Sequence, residues 1–373
     1  MRPIALDRRL FDRLAAERGE ALVSVYLPTH VKGAEVDQDQ IRLKNGLTQV
    51  DGTLEDAGWK PRERGERLEP SLRLLDDQEF WAHQGQGLAV FIDDESSSTA
   101  VALPDEAAEL CVVSDVFHLR PMLRSLEPVE LPVLVLTLGG VRLYRTSRHQ
   151  TDRVDIDLPD SFDDVNWFVD REKQRQQHAD RAGSKRSRHG HEPASARGED
   201  LDRFFRAVDA ALPVAEEPLI VLGDDNIVAR FGLASERGIQ AEPDGGVADV
   251  DDIHAIHAAA GGVVGRHQSL LDEESVELAL QELGTGNATT DLEESLQAAV
   301  SGRVSRVVLH AGASPRWGRF DPSTLETSMH DAREPFDVDL IDRLAVHALG
   351  TGAGVVPVEG TIDGHDFVTI LRY

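Results

Sequence analysis

The sequence predicts an α/β protein made of three α/β modules in series. Short apolar runs rich in Val, Leu and Ile alternate with longer segments whose apolar positions recur at helical spacing, the pattern of helices layered on sheet. The 373 residues exceed the roughly 250–300 at which a single core stops growing, so about two to three domains are expected. A hydrophobic content of 40% is enough to fill their cores, and the apolar-poor composition of a disordered chain appears only locally.

In the first module, residues 1–130, Leu10, Leu14 and Ala15 mark an opening amphipathic helix, and Ala21–Leu27 reads as a strand ending at Pro28. Ile41–Leu54 predicts a helix with Leu43, Leu47, Val50 and Leu54 on one face, and Leu68–Leu75 predicts another. Gly87–Ile92, Thr99–Leu103 and Leu110–Val113 supply further strands. The second module, residues 131–262, opens with Leu131–Leu138 and Val141–Tyr144 around Gly139-Gly140, a tight hairpin, and Val154–Leu158 continues the meander. Leu201, Phe204, Phe205, Val208 and Leu212 recur at helical spacing after Glu199 and Asp200, whose charges favour a helix N-terminus. Pro218–Leu222 is a short buried strand closed by Gly223, and the module ends at Gly261-Gly262. The third, residues 263–373, has helices at Val276–Leu283, Leu292–Val300 and Leu340–Leu349, with strands at Val304–His310, Gly354–Val358 and Phe367–Leu371.

Sixty-seven acidic against 39 basic side chains leave a net charge of −28, which argues against a nucleic-acid partner if the charge is evenly spread. It is not. Residues 171–198 hold eight basic side chains against three acidic ones, a local charge of +5, so the remaining chain carries −33. This stretch has no apolar residue beyond alanine and is expected to be a long mobile loop inserted in the second module. Arg175, Arg181, Lys185, Arg186 and Arg188 suit phosphate recognition, since guanidinium groups bind phosphate bidentately, and His189 and His191 join them as candidate RNA-binding residues. No aromatic side chain interleaves with them to stack on bases. The bland reading of the same stretch is a solvated linker.

The lone Cys111 sits in an apolar run and reads as a buried small hydrophobe. The N-terminus lacks a signal-peptide h-region, and no window approaches the about 18 apolar residues of a membrane span, so a soluble cytoplasmic protein without membrane contact is expected. His189, His191 and Glu192 form the string HGHE, with His178 close by; without a rigid scaffold or a fourth ligand, no metal site and no cofactor are expected. His254 and His257 lie three apart beside Asp251 and Asp252, and without an HExxH pattern an exposed helix face is the better reading. Ser24 and His30 flank SVYLPTH, but no G-x-S-x-G elbow supports a hydrolase triad. Gly223-Asp224-Asp225 and Gly350–Gly354 lack the Walker lysine and the dinucleotide spacing and read as turns; Arg42, Lys44 and Asn45 read as surface residues.

The strings SVYLPTH, DQIRLKNGL, DDQEFWAHQGQGLAVF, VVSDVFHLRPML and VLVLTLGGVRLYR, then the HGH loop and WGRFDP at Trp317, together resemble the bacterial relatives of the archaeal and eukaryotic class-one release factor. The closest group is the one that includes the ribosome hibernation factor Balon. The resemblance spans nearly the whole chain and implies an N-terminal domain, a ribonuclease-H-like middle domain and a C-terminal α/β domain resembling a small RNA-binding ribosomal protein. It also implies binding in the ribosomal A site, a middle-domain loop directed toward the peptidyl transferase centre, and delivery by or co-binding with elongation factor Tu. The departures bear on chemistry. A terminator carries Gly-Gly-Gln in this loop, whereas this chain has Gly183-Ser184-Lys185 and Gly190-His191, and Gly-Gly-Gln occurs nowhere in it. The Asn-Ile-Lys-Ser stop-codon motif is also missing; the Asn226-Ile227 pair lies in the second module. The expected function is therefore a non-enzymatic ribosome-binding hibernation or stress factor. In that role Arg181, Lys185, Arg186 and Arg188 would contact ribosomal RNA phosphates. The alternative is a metal-dependent RNA or peptidyl-tRNA hydrolase built on HGHE.

Overall fold

The computed structural model describes residues 2–30, 36–137, 140–159, 194–213, 217–235, 237, 239–241, 247 and 249–372. The chain divides into two compact units, Met1–Glu127 with Ser269–Tyr373, and Pro128–Gln268.

The N-terminal part of the first unit carries a five-stranded sheet of β1 (Ile4–Ala5), β2 (Leu22–Pro28), β3 (Gly87–Ile92), β4 (Ser98–Leu103) and β5 (Leu110–Ser114), ordered β1-β4-β3-β2-β5. Strand β2 lies between β3 and β5, antiparallel to both, and its two faces separate by the period of two. Val23, Val25 and Leu27 pack with Leu43, Leu47, Val50 and Leu54 of helix α2 (Val36–Asp56) and Leu68 of α3 (Pro61–Leu72). Leu22 and Tyr26 face the other way, toward Leu10, Phe11 and Leu14 of α1 (Arg8–Ala16). Helix α3 stops three residues before the expected Leu75 and continues as a 3₁₀ turn, Arg73–Asp76. Two single-turn helices, α4 (Gln78–Trp81) and α5 (Leu123–Leu126), complete this part.

The second unit has β6 (Leu131–Thr137), β7 (Gly140–Thr146), β8 (Thr151–Val154), β9 (Leu219–Gly223) and β10 (Ile239–Ala241) in the order β10-β9-β6-β7-β8. The first three form an antiparallel meander and the last two run parallel to β6, the ribonuclease-H-like arrangement that the resemblance implied. Thr137 pairs with Gly140, as the expected hairpin requires. The third strand sits earlier than expected, at Thr151–Val154, while Ile156 and Leu158 pack on the core outside it. One sheet face is covered by α6 (Ala194–Ala211) and α7 (Asp225–Ala234) through Phe204, Phe205, Val208 and Phe231. The other meets Ile256, Ala260 and Val264 of α8 (Ile253–Thr285). Gly261 and Gly262, expected as a break, lie inside α8, where a Cβ on Gly261 would meet nothing within 4 Å.

The C-terminal part of the first unit holds α9 (Leu292–Val300), α10 (Leu340–Gly350) and a four-stranded sheet of β11 (Ala288–Thr289), β12 (Val304–His310), β16 (Gly354–Val358) and β17 (Phe367–Leu371), ordered β11-β17-β12-β16. A small sheet, β14 (Glu326–Met329), β13 (Trp317–Asp321) and β15 (Val338–Asp339), is inserted between β12 and α10. The core that begins at Leu10 and Phe11 runs on through Phe91 and Val101 to Leu296, Val307, Leu340 and Leu344, so the first and third expected modules share one hydrophobic core. Among the described residues, no helix is long and apolar enough to cross a membrane.

Candidate nucleic-acid interface

The basic segment departs from one anchored element of the second unit and returns to another. On its N-terminal side, β8 is tied to β7 by Thr146 Oγ1 and Thr151 Oγ1 at 3.1 Å, and Thr151 Oγ1 lies 2.9 Å from His257 Nδ1 of α8. The Tyr144 hydroxyl donates to Val250 O at 2.6 Å. On its C-terminal side, α6 is pinned by Arg230 Nε donating to Asp202 Oδ1 at 2.7 Å and by Ser235 Oγ donating to Asp209 Oδ1 at 2.7 Å. Helix α6 begins at Ala194, so the last five residues expected as loop, Ala194–Gly198, are helical, and Glu199 and Asp200 lie inside the helix rather than at its start. Arg175, Arg181, Lys185, Arg186, Arg188, His189 and His191, with His178 and Glu192, lie outside the described residues.

Several arginines of the unit's described surface pair with carboxylates. Arg145 pairs with Glu130 and Glu217, and Arg142 and Arg153 both approach Asp251. His254 is exposed as expected, but His257 turns toward β8, so the two histidines do not present one ligand face. Asp224 caps α7 by accepting from Asn226 N, and a Cβ at Gly223 would meet Leu136 O at 2.2 Å, so this glycine serves close strand packing.

In the first unit, Ser24 Oγ accepts from His118 N while His30 Nδ1 meets Asp39 Oδ1 at 2.9 Å, so serine and histidine have separate partners. Asp39, fully buried, also accepts from His30 N and from Arg42 Nη1, which gathers His30 and Arg42 at the start of α2. Lys44 and Asn45 are exposed. Cys111 is buried, and burial pushes its thiol up to about 11, which removes nucleophilic thiolate at neutral pH. Gly350–Gly354 is the turn from α10 into β16, with Gly352 at φ 77°. Trp317 of WGRFDP is covered by the Arg333 guanidinium, 4.2 Å from its ring centre.

Among the described residues, His330, Glu334 and Asp337 offer three possible metal-ligand atoms within 4.8 Å of one another. Asp337 Oδ2 already accepts from His330 Nδ1 at 2.8 Å and Glu334 N at 2.9 Å, an arrangement that locks the loop without an ion. The motif VVSDVFHLRPML holds a group that sequence reasoning missed. Leu119 N and Arg120 N donate to Asp342 Oδ1 at 2.7 and 2.6 Å, Arg120 Nε lies 3.2 Å from Asp339 Oδ2, and the Tyr26 hydroxyl donates to His118 O at 2.6 Å. Asp339 also caps α10 through Ile341 N. These buried groups join the exit of β5 to the start of α10.

Residues 132–303 match the model of bacterial archaeo-eukaryotic release factor family 3. This stretch is similar to that release-factor-like family. The matched span starts in β6, takes in the whole sheet of the second unit with α6 and α7, encloses the basic segment, and ends just before β12. Similar solved structures include the archaeal translation termination factor aRF1, at 15% identity over 99% of each chain and a TM-score of 0.24. Pelota of Archaeoglobus fulgidus is 12% identical over 77% of this chain and 79% of that one, with a TM-score of 0.29. A model of ribosome-bound archaeal Pelota and ABCE1 is 11% identical over 74% and 72%, with a TM-score of 0.37. No curated protein matches the chain.

Proposed function

We propose that this protein is a ribosome-binding hibernation or stress factor of the cytoplasm. In this reading it occupies the A site, together with elongation factor Tu, and its basic segment approaches the peptidyl transferase centre. The observation that carries it is that the release-factor family match encloses the one segment whose charge, +5, opposes a chain of −28. Basic side chains bind RNA phosphates by displacing counterions, while an acidic body discourages contact with other RNA. Without Gly-Gly-Gln, the proposed role is occupancy rather than peptide release.

Co-sedimentation with purified 70S ribosomes tests this. The wild-type chain should pellet with ribosomes, and the variant with Arg181, Lys185, Arg186 and Arg188 all changed to Ala should lose most of that binding. Substitution is preferable to deleting 171–198, which would remove the first residues of α6. Ribosome-free wild-type protein would sink the proposal, undiminished binding of the variant would remove the segment from it, and hydrolysis of peptidyl-tRNA would overturn the non-enzymatic role.

A further inference from the structure

The first unit contains a cleft of about 240 Å³ whose basic lining comes from both ends of the chain: Arg18 after α1, Arg319 in β13, and Arg343 of α10, with His347 beside it. This volume lies below the roughly 300 Å³ at which typical small-molecule pockets begin and suits a compact anion. Arg343 is the buried group among them. Its residue is 4% exposed, its Nη2 lies 3.4 Å from His347 Nε2, and its Nη1 has no hydrogen-bond partner. The adjacent carboxylate, Asp342, is taken up by the two backbone N–H groups of Leu119 and Arg120. A buried guanidinium with an unused N–H is costly unless something completes its hydrogen bonding.

The surroundings favour an anion as that group. Burial, reinforced by Arg343 and Arg18, holds His347 down to about 4, so its imidazole is neutral at physiological pH and leaves the positive charge of the cleft to the arginines. Glu20 and Asp115 also line the cleft, which leaves three guanidiniums against two carboxylates, a net positive site in a chain of −28. Arg18 is held by Nη1 donating to Ala15 O and Glu17 O, and Arg319 by Nη2 donating to Pro335 O. Arg319 Nε also lies 3.7 Å from Asp337 Oδ1, and both arginines are exposed. Phe320, packed edge-on against His347 with ring centres 5.7 Å apart, and Phe336, at φ 66°, give the cleft apolar walls beside its cations.

We propose that this cleft binds a phosphate group, with Arg343 as the buried anchor and Arg18 and Arg319 as the outer clamp. Planar guanidiniums suit phosphate oxygens, and the aromatic walls suit a base attached to it. The phosphate could be supplied by a free mononucleotide or by the 5′ end of an RNA strand, and the test separates these sources. It does not depend on the segment 171–198.

Isothermal titration of the full chain would use inorganic phosphate, 5′-AMP, adenosine, and a short RNA with and without a 5′-phosphate. Phosphate and 5′-AMP should bind at one site while adenosine does not. Arg18→Ala and Arg319→Ala should each weaken 5′-AMP binding about tenfold or more, as loss of a charge-assisted hydrogen bond does. Arg343→Lys keeps the charge but not the fork and should weaken it as well, with circular dichroism reporting that the variant is folded. Phosphorylated RNA binding more tightly than 5′-AMP, with the same sensitivity to the variants, identifies an RNA end; equal affinity identifies a free nucleotide. Failure of phosphate, 5′-AMP and phosphorylated RNA alike to saturate the protein, or binding unchanged in Arg18→Ala and Arg319→Ala, overturns the proposal.

Discussion

His118 is fully buried, and burial holds its imidazole down to about 4 against an ordinary 6.5. Between those values the unfolded chain takes up a proton that the folded one refuses, so stability falls as pH is lowered through this window and is unaffected by the residue above it. His347, also held at about 4, acts in the same direction. His330 has the opposite sign, because the Asp337 carboxylate raises it: its contribution is complete below the ordinary value and is lost as pH rises through the folded one. Urea unfolding at pH 7 and 4.5 should show His118→Gln losing about 2–3 kcal/mol less on acidification than wild type. An identical acid response would mean that His118 is not the neutral buried group the geometry describes. His118 lies within VVSDVFHLRPML, yet its environment is not legible in that string. Asp342, which holds the backbone beside it, lies more than two hundred residues away, and no local spacing encodes that encounter.

Helix α2 shows what periodicity does encode. Leu43, Leu47, Val50 and Leu54 follow the 3.6-residue repeat, and all four are buried against the sheet, whereas Ile41 is 57% exposed. Leu47→Ala should cost about 2–5 kcal/mol in denaturant unfolding, and Ile41→Ala close to nothing. Equal effects would contradict the assigned face. Element ends were less legible than element faces. Helix α6 starts at Ala194, ahead of the acidic pair that resembled its N-terminus, and β8 lies ahead of the alternating run Val154–Leu158. Alternation continued past β8 because Ile156 and Leu158 still bury side chains after the ladder has ended. At Gly261-Gly262 a pair that usually interrupts structure is carried through by packing of Ala260, Val263 and Val264 around it.

For the whole molecule, the charge partition makes its own prediction. If the basic segment meets RNA phosphates, ribosome affinity should fall steeply with salt, by a factor on the order of 10³ or more from low to moderate ionic strength. Neutralising Arg181, Lys185, Arg186 and Arg188 removes four of the eight basic side chains and should roughly halve the slope of log affinity against log salt. An unchanged slope would place the electrostatic contacts elsewhere on the chain.

The sequence by itself determined the α/β class, the buried faces of its helices and strands, the order of strands in the meander, the +5 segment within an acidic chain, and motifs that resemble the release factors. These are local properties, readable because burial imposes a period of two or 3.6 on neighbouring residues. Only the tertiary structure decided that residues 1–127 and 269–373 form one compact unit around a common core, that His118 and Arg120 meet Asp339 and Asp342, and that Arg18, Arg319 and Arg343 line one cleft. The physical reason is that remote segments are joined by whichever faces exclude water together, an outcome of the whole chain's packing that leaves no signature in the spacing of residues along either segment.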